Sequence, residues 1–263
     1  MWFYRTMTVD RFATADAQAF SGFRAHFSRH CFRALQAMAE RFDVQVLGLE
    51  RVPRGRALIV ANHAIGWDVL FFMAAIAEEQ GRTVWALGEN LWWKVPFLRR
   101  FVSAIGVVDG TQQNADRLLG EDQLVLVLPG GMREAVKPKE LRYQLLWGRR
   151  YGFVRAALRN QAPIVPLASV GTDELFDFVG DPYARGERWL GSRRIPIPLP
   201  RRVLPIPHAV KVRLLVGEPI LPRGGADAAD DPVVLRSMRR EVEGALHELI
   251  ENELARRAGM PID

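Results

Sequence analysis

The sequence predicts an α/β fold: a mostly parallel central sheet covered by helices on both faces, with an N-terminal amphipathic helical segment. Three observations carry this expectation. The runs Leu124–Leu128 and Ile164–Val170 are apolar without alternation, as strands buried on both faces are. Helical stretches separate the strand-like runs, the order expected of a parallel sheet built from crossovers. At 263 residues, 49% hydrophobic and 25% charged, the chain is long enough and apolar enough to bury one sizeable core.

The elements follow in order. Between residues 18 and 42, Phe20, Phe23, Phe27, Cys31, Leu35, Met38 and Phe42 recur at steps of three or four and share one helical face. Arg24, Arg29, Arg33, Gln36 and Glu40 fall largely elsewhere. Such a helix suits a membrane interface and suits packing on a core equally well; the pattern leaves both open. Residues 1–44 are therefore set apart as an N-terminal, membrane-associating helical segment, and residues 45–263 as the main domain. After Pro53 and Gly55, Ala57–Val60 reads as a strand ending at Asn62-His63, and Asp68–Ala77 as a buried helix. Residues 57–77 are together long enough to cross a bilayer. Asn62, His63 and Asp68 would then sit at its middle, where ionisable groups are expensive, and Gly66 interrupts the run. Strand, polar loop and helix is the better description.

Thr83–Leu87 is a second strand. Trp92, Trp93, Pro96, Phe97 and Leu98 form an apolar cluster edged by Lys94, Arg99 and Arg100. Val107-Val108 is a brief strand, followed by a helix from about Asn114 to Leu119, and Tyr151–Arg159 is a further helix. Residues 182–207 hold repeated prolines, which exclude helix and central strand. They are expected to form a long irregular loop, either a basic, apolar flap over a membrane or channel or a surface excursion. Lys211–Val216 is a last strand and Pro232–Arg257 a terminal amphipathic helix.

Bulk composition excludes some functions. A single cysteine, Cys31, rules out an intramolecular disulfide and any cysteine-rich metal site; neither a metal nor a resident cofactor is expected. The 36 Lys and Arg against 30 Asp and Glu give a net charge of +6, which favours anionic partners. Because the arginines sit beside aromatics and leucines, a lipid surface is the expected partner and nucleic acid is not, and no nucleic-acid motif occurs. Met1–Asp10 lack the apolar core and cleavage site of a secretory signal. Association with the cytoplasmic face of a membrane is the expectation.

His63 and Asp68 stand five apart across a glycine-containing turn directly after a buried strand, where α/β proteins place reactive groups. An imidazole with an ordinary pKa of about 6.5 is a suitable general base near neutrality. A carboxylate on its other ring nitrogen fixes the tautomer and stabilises the imidazolium. The spacing alone is weak evidence, since turns collect polar residues for their own reasons. A second candidate is Leu128-Pro129-Gly130-Gly131-Met132-Arg133-Glu134-Ala135. Paired glycines let a backbone approach a ligand and receive an anion or oxyanion, and Arg133 can take a phosphate by a forked contact. By itself this segment reads more simply as a strand-terminating turn with surface charges.

Four blocks in order nevertheless resemble the glycerolipid acyltransferase superfamily, whose founding members make phosphatidic acid from 1-acylglycerol 3-phosphate. Asn62-His63 with Asp68 is similar to the first block. Pro96-Phe97-Leu98 with Gly106-Val107-Val108 is similar to the second, Pro129 to Arg133 to the third, and Pro163-Ile164-Val165-Pro166 to the fourth. The resemblance spans residues of about 45 to 220, about two thirds of the chain.

Two departures matter. The family's third block runs Pro-Glu-Gly-x-Arg, and Gly130 stands at the Glu position here. Its second block usually ends in an arginine that reads the acceptor phosphate, whereas this chain runs into Asp109-Gly110. Pro-Gly-Gly-x-Arg-Glu-Ala looks instead like the branch related to diacylglycerol acyltransferases and phytyl-ester synthases, which acylate neutral lipid alcohols.

The resemblance implies an O-acyltransferase with His63 as base and Asp68 as its partner. It implies Asn62, Gly130, Gly131, Arg133 and Glu134 as substrate contacts, acyl-CoA or acyl-carrier protein as donor, and a lipid hydroxyl as acceptor. A neutral acceptor is favoured over a lysophospholipid. Two rivals remain: a serine hydrolase, disfavoured because no Gly-x-Ser-x-Gly occurs and Ser169 lies in an apolar strand, and a catalytically silent lipid-binding protein.

Overall fold

The computed structural model describes residues 23–260 except 42, 65, 91–92, 94–95, 176–181 and 191–209. Seven strands among the described residues make one sheet: β1 (Val44–Leu47), β2 (Ala57–Ala61), β3 (Val84–Gly88), β4 (Val107–Asp109), β5 (Leu124–Val127), β6 (Ile164–Val170) and β7 (Val212–Val216). Their order is β1-β7-β6-β2-β5-β3-β4. Every neighbouring pair is parallel except β6 and β7. The expected α/β fold with a mostly parallel sheet is present.

Burial on both faces explains the continuous apolar runs. Along β2, Leu58 and Val60 point into one core and Ala57, Ile59 and Ala61 into the other, the alternation a pleated strand imposes. The first core is closed by α4 (Gln112–Gly120), α6 (Gly152–Asn160) and α8 (Pro232–Arg257), which contribute Leu118, Val154, Met238 and Val242. The second is closed by α1 (Ala25–Arg41) and α2 (Trp67–Glu79), through Phe32, Leu35 and Phe72. Asp231 caps α8 by accepting from Val233 N at 2.7 Å, with Pro232 in the first turn.

The structure chooses between two open readings, adds a helix and corrects one expectation. The N-terminal helix packs on the core: Phe32 and Leu35 are buried beside α2, and Cys31 and Met38 lie against them. It shares that core with the sheet, whose first strand begins at Val44. Phe20 and Phe42 lie outside the described residues. From the apolar cluster, Pro96, Phe97 and Leu98 open a helix, α3 (Pro96–Ala104), packed beside β4 and α1, while Trp92 and Lys94 lie outside the described residues. Finally, Pro182–Leu190 is helical (α7), which corrects the reading of 182–207 as wholly irregular. Its one proline opens the helix, where no backbone N–H is needed, and the next prolines come after residue 195. The rest of that segment, 191–207, lies outside the described residues. No helix among the described residues is long and apolar enough to cross a membrane.

Candidate active site

The carboxyl ends of β2, β3 and β5 point to one edge of the sheet, where open α/β sheets bind ligands. A cavity of about 560 Å³ opens there. Its wall is largely apolar, with Leu70, Val102, Ile105, Val127 and Phe153. A polar margin carries His63, Glu89, Asn90, Thr111, Gln112 and Arg150.

The turn after β2 is held at several points. The Asn62 carboxamide donates to Ser169 O at 2.9 Å and accepts from Ser169 N at 2.7 Å, tying the turn to β6. Gly66 sits at φ +91°, the left-handed region that favours glycine, and lets the chain turn into α2. Asp68 follows in the first turn of α2, where the helix dipole favours a carboxylate. Its Oδ2 lies 3.3 Å from His63 Nδ1 and accepts from Ala64 N at 3.0 Å. The Asp68 side chain is nearly sealed, at 2% exposure, while His63 keeps 12% and lines the cavity. With Nδ1 turned to the carboxylate, Nε2 is the nitrogen left for a ligand.

The second candidate segment is divided by the structure. Residues after β5 turn into a short helix, α5 (Gly131–Ala135). Gly131 lines the cavity at φ +54°, but its N–H already donates to Leu128 O at 3.0 Å and is not free for an oxyanion. Arg133 is exposed and outside the cavity wall. Among the described residues the cation in the wall is Arg150, whose guanidinium donates to Pro129 O.

Glu134 is fully buried: Oε1 accepts from His63 N at 2.7 Å and Oε2 from Leu146 N at 2.8 Å. Burial pushes its carboxyl above the usual range, opposed by the Lys137 ammonium. Asn62 and Gly130 are likewise buried and absent from the cavity wall. These three, expected as substrate contacts, are buried and do not line the cavity. Both oxygens of Glu134 and the whole Asn62 amide are spent on backbone.

Sequence reasoning missed Arg150, Lys137 and Asp173. Lys137 Nζ pairs with Asp173 Oδ2 at 2.8 Å, the two side chains 2% and 4% exposed, and also donates to His63 O at 3.1 Å. Burial pushes the Asp173 carboxyl up, with Lys137 opposing. No spacing in the chain announces these residues, because the fold alone brings them near the β2 turn: Lys137 to His63 O, Asp173 to Lys137, and Arg150 to the cavity wall. Ser169, the residue a hydrolase reading would need, is fully buried and its hydroxyl is bonded to that of Thr172. Among the described residues no cluster of three or more His, Cys, Asp or Glu side chains is arranged to hold a metal.

With this geometry in place, comparison with known proteins gives a consistent result. A family model described as Acyltransferase matches residues 43–170, which contain His63, Asp68 and the segment after β5. An uncharacterized protein of Mycobacterium tuberculosis is 33% identical over 248 residues, covering 90% of this chain and 69% of that protein. The chain belongs to the acyltransferase family.

A mouse relative of this acyltransferase, named a DGAT1/2-independent enzyme synthesizing storage lipids, is 29% identical over 209 residues, covering 79% of the chain and 59% of that enzyme. Among solved structures, the 1-acyl-sn-glycerophosphate acyltransferase of Thermotoga maritima superposes with a TM-score of 0.51 at 18% identity, over 91% of this chain and 84% of that one. At that identity the likeness is one of fold. The protein is thus an acyltransferase-family member with a His–Asp pair at the rim of a largely apolar cavity.

Proposed function

We propose that this acyltransferase moves a fatty acyl group from acyl-CoA or acyl-carrier protein to the hydroxyl of a neutral lipid. A mono- or diacylglycerol or a long-chain alcohol is the acceptor, and the work is done at a membrane surface. The observation that carries the reading is the His63–Asp68 pair on the margin of a largely apolar cavity.

In the mechanism proposed, His63 Nε2 takes the proton of the acceptor hydroxyl as its oxygen attacks the thioester carbonyl. Asp68 holds Nδ1–H and stabilises the imidazolium. The tetrahedral centre collapses, the C–S bond breaks, and the imidazolium returns its proton to the leaving thiolate. Arg150 is the nearest wall cation to Gly131 and is assigned to the oxyanion or to a phosphate of the donor.

A neutral acceptor is supported by what stands at the third block. Gly130 replaces a carboxylate, and Arg133 points outside the cavity. The storage-lipid synthesis for which the mouse relative is named agrees with it. One observation favours a lysophospholipid instead: Arg150 in the cavity wall offers a guanidinium to an acceptor phosphate.

Membrane association rests on exposed aromatics beside the cavity. Phe97 is 80% exposed, and Phe27 and Phe101 about half as much, at 41% and 40%, in edge contact with each other. Arg24, Arg99 and Arg100 are exposed around them. Apolar rings ringed by cations suit an anionic interface.

The test supplies labelled acyl-CoA, or acyl-carrier protein, with vesicles carrying a panel of lipid alcohols. Label entering triacylglycerol, diacylglycerol or wax ester supports the proposal. Label entering phosphatidic acid alone selects the lysophospholipid reading. Label that stays in the thioester with every acceptor overturns the enzymatic reading in favour of a silent binder.

A further inference from the structure

We infer that Glu134 and Lys137 are positioning residues that clamp the peptide groups of His63 from both sides, and that Gly130 is a glycine because the Glu134 carboxylate occupies the space a side chain there would fill. The inference rests on the reading of His63 as the general base.

The geometry is specific. Glu134 accepts the His63 N–H at 2.7 Å, and Lys137 donates to the His63 carbonyl at 3.1 Å. Glu134 also accepts from Leu146 N at 2.8 Å, and Lys137 is itself fixed by Asp173 at 2.8 Å, so neither arm is free to swing. Both arms rise from a single turn of chain after β5 and reach across to β2, its neighbour in the sheet. A histidine held by its side chain alone pivots about its backbone. Fixing the amide and the carbonyl removes that pivot and directs the ring at a constant point of the cavity.

Gly130 adds an independent observation. Its backbone, at φ −67° and ψ −28°, is ordinary right-handed conformation open to any residue. Glycine is demanded by space instead. A Cβ at 130 would lie 2.0 Å from Glu134 Oε2 and 2.4 Å from Glu134 Cβ, and the second atom is anchored on α5 and cannot yield by rotation. The space a side chain at 130 would fill is thus taken by the Glu134 carboxylate, which is spent on the amides of His63 and Leu146.

The test compares G130A, E134Q, the double variant G130A/E134A and the control H63A, reading kcat, KM and the thermal midpoint. E134Q keeps the shape and one acceptor oxygen but sets an NH2 group against one of the two amides. It is expected to fold, to lose about tenfold in kcat for a partial loosening of the clamp, and to keep its KM for donor and acceptor. G130A is expected to displace the carboxylate and lower kcat by about 10²-fold. G130A/E134A relieves the clash, so it regains thermal midpoint relative to G130A without regaining kcat.

Wild-type kcat in E134Q or in G130A overturns the inference, and so does a double variant whose kcat recovers together with its stability. Those results alongside an inactive H63A remove the clamp and leave the base in place. An active H63A removes the base itself.

Discussion

The turns after β2 and β5 are neighbours in the sheet and both follow strands buried on two faces, yet they do opposite work. After β2, His63 points into the cavity while the backbone around it is held by other elements. After β5, the side chains of Glu134 and Lys137 turn inward and do the holding. A turn rich in charge and glycine is therefore no more a ligand site than a brace for one; which it is depends on where its polar atoms find partners.

The sharpest way to break this comparison is H63A. If the β2 turn carries the chemistry, turnover in the acyl-transfer assay falls by about 10²–10⁴-fold while circular dichroism and thermal midpoint stay near wild type. Near-normal turnover would move the chemistry elsewhere.

The brace is tested by K137M, which strands Asp173 in a site only 4% exposed. Breaking such a buried pair from one side costs about 3–5 kcal/mol of unfolding free energy, measured in urea. A variant as stable as wild type would mean the β5 turn is not a brace.

Arg150 and Arg133 sharpen the boundary between wall and surface. R150A is expected to lower kcat/KM by about tenfold, the worth of one charge-assisted hydrogen bond. R133A, on the exposed side, should stay within about twofold, as surface substitutions do. The reverse order would return Arg133 to the site.

The smallest effect is one of pH. The folded Glu134 carboxyl is raised by burial, so the folded state binds its proton more readily than the unfolded chain does. The stability this group contributes is fully present below the ordinary glutamate range of about 4.3 and is lost as pH rises through the raised value. The stability of wild type relative to E134Q should therefore grow as pH falls from neutrality. A gap that shrinks on acidification contradicts the direction of the shift.

Much of the fold was legible from local pattern. Leu124–Val127 and Ile164–Val170 are central strands because unbroken apolar runs fit only a doubly covered sheet. Pro182–Leu190 was misread because a proline at the head of a helix was weighed like prolines inside one. At the site, His63 and Asp68 were legible because both belong to one short loop, and a single turn brings them to 3.3 Å. Lys137, Arg150 and Asp173 were not, because their contacts with the site depend on strand order, which no local pattern encodes. Glu134 is visible as a candidate, but its partners are not. Its sequence shows a charge, and only the fold shows that both oxygens face amides.

The bonds that hold the β2 turn join residues 71, 74 and 107 positions apart in the chain. During synthesis, then, His63 emerges long before anything exists to aim it. Closure of the site must wait for β5 and β6 to add their rows to either side of β2. A nascent or truncated chain ending short of β6 would carry the complete His63–Asp68 loop and still be an inert thread. Acyl transfer by this protein would thus report assembly of the central sheet.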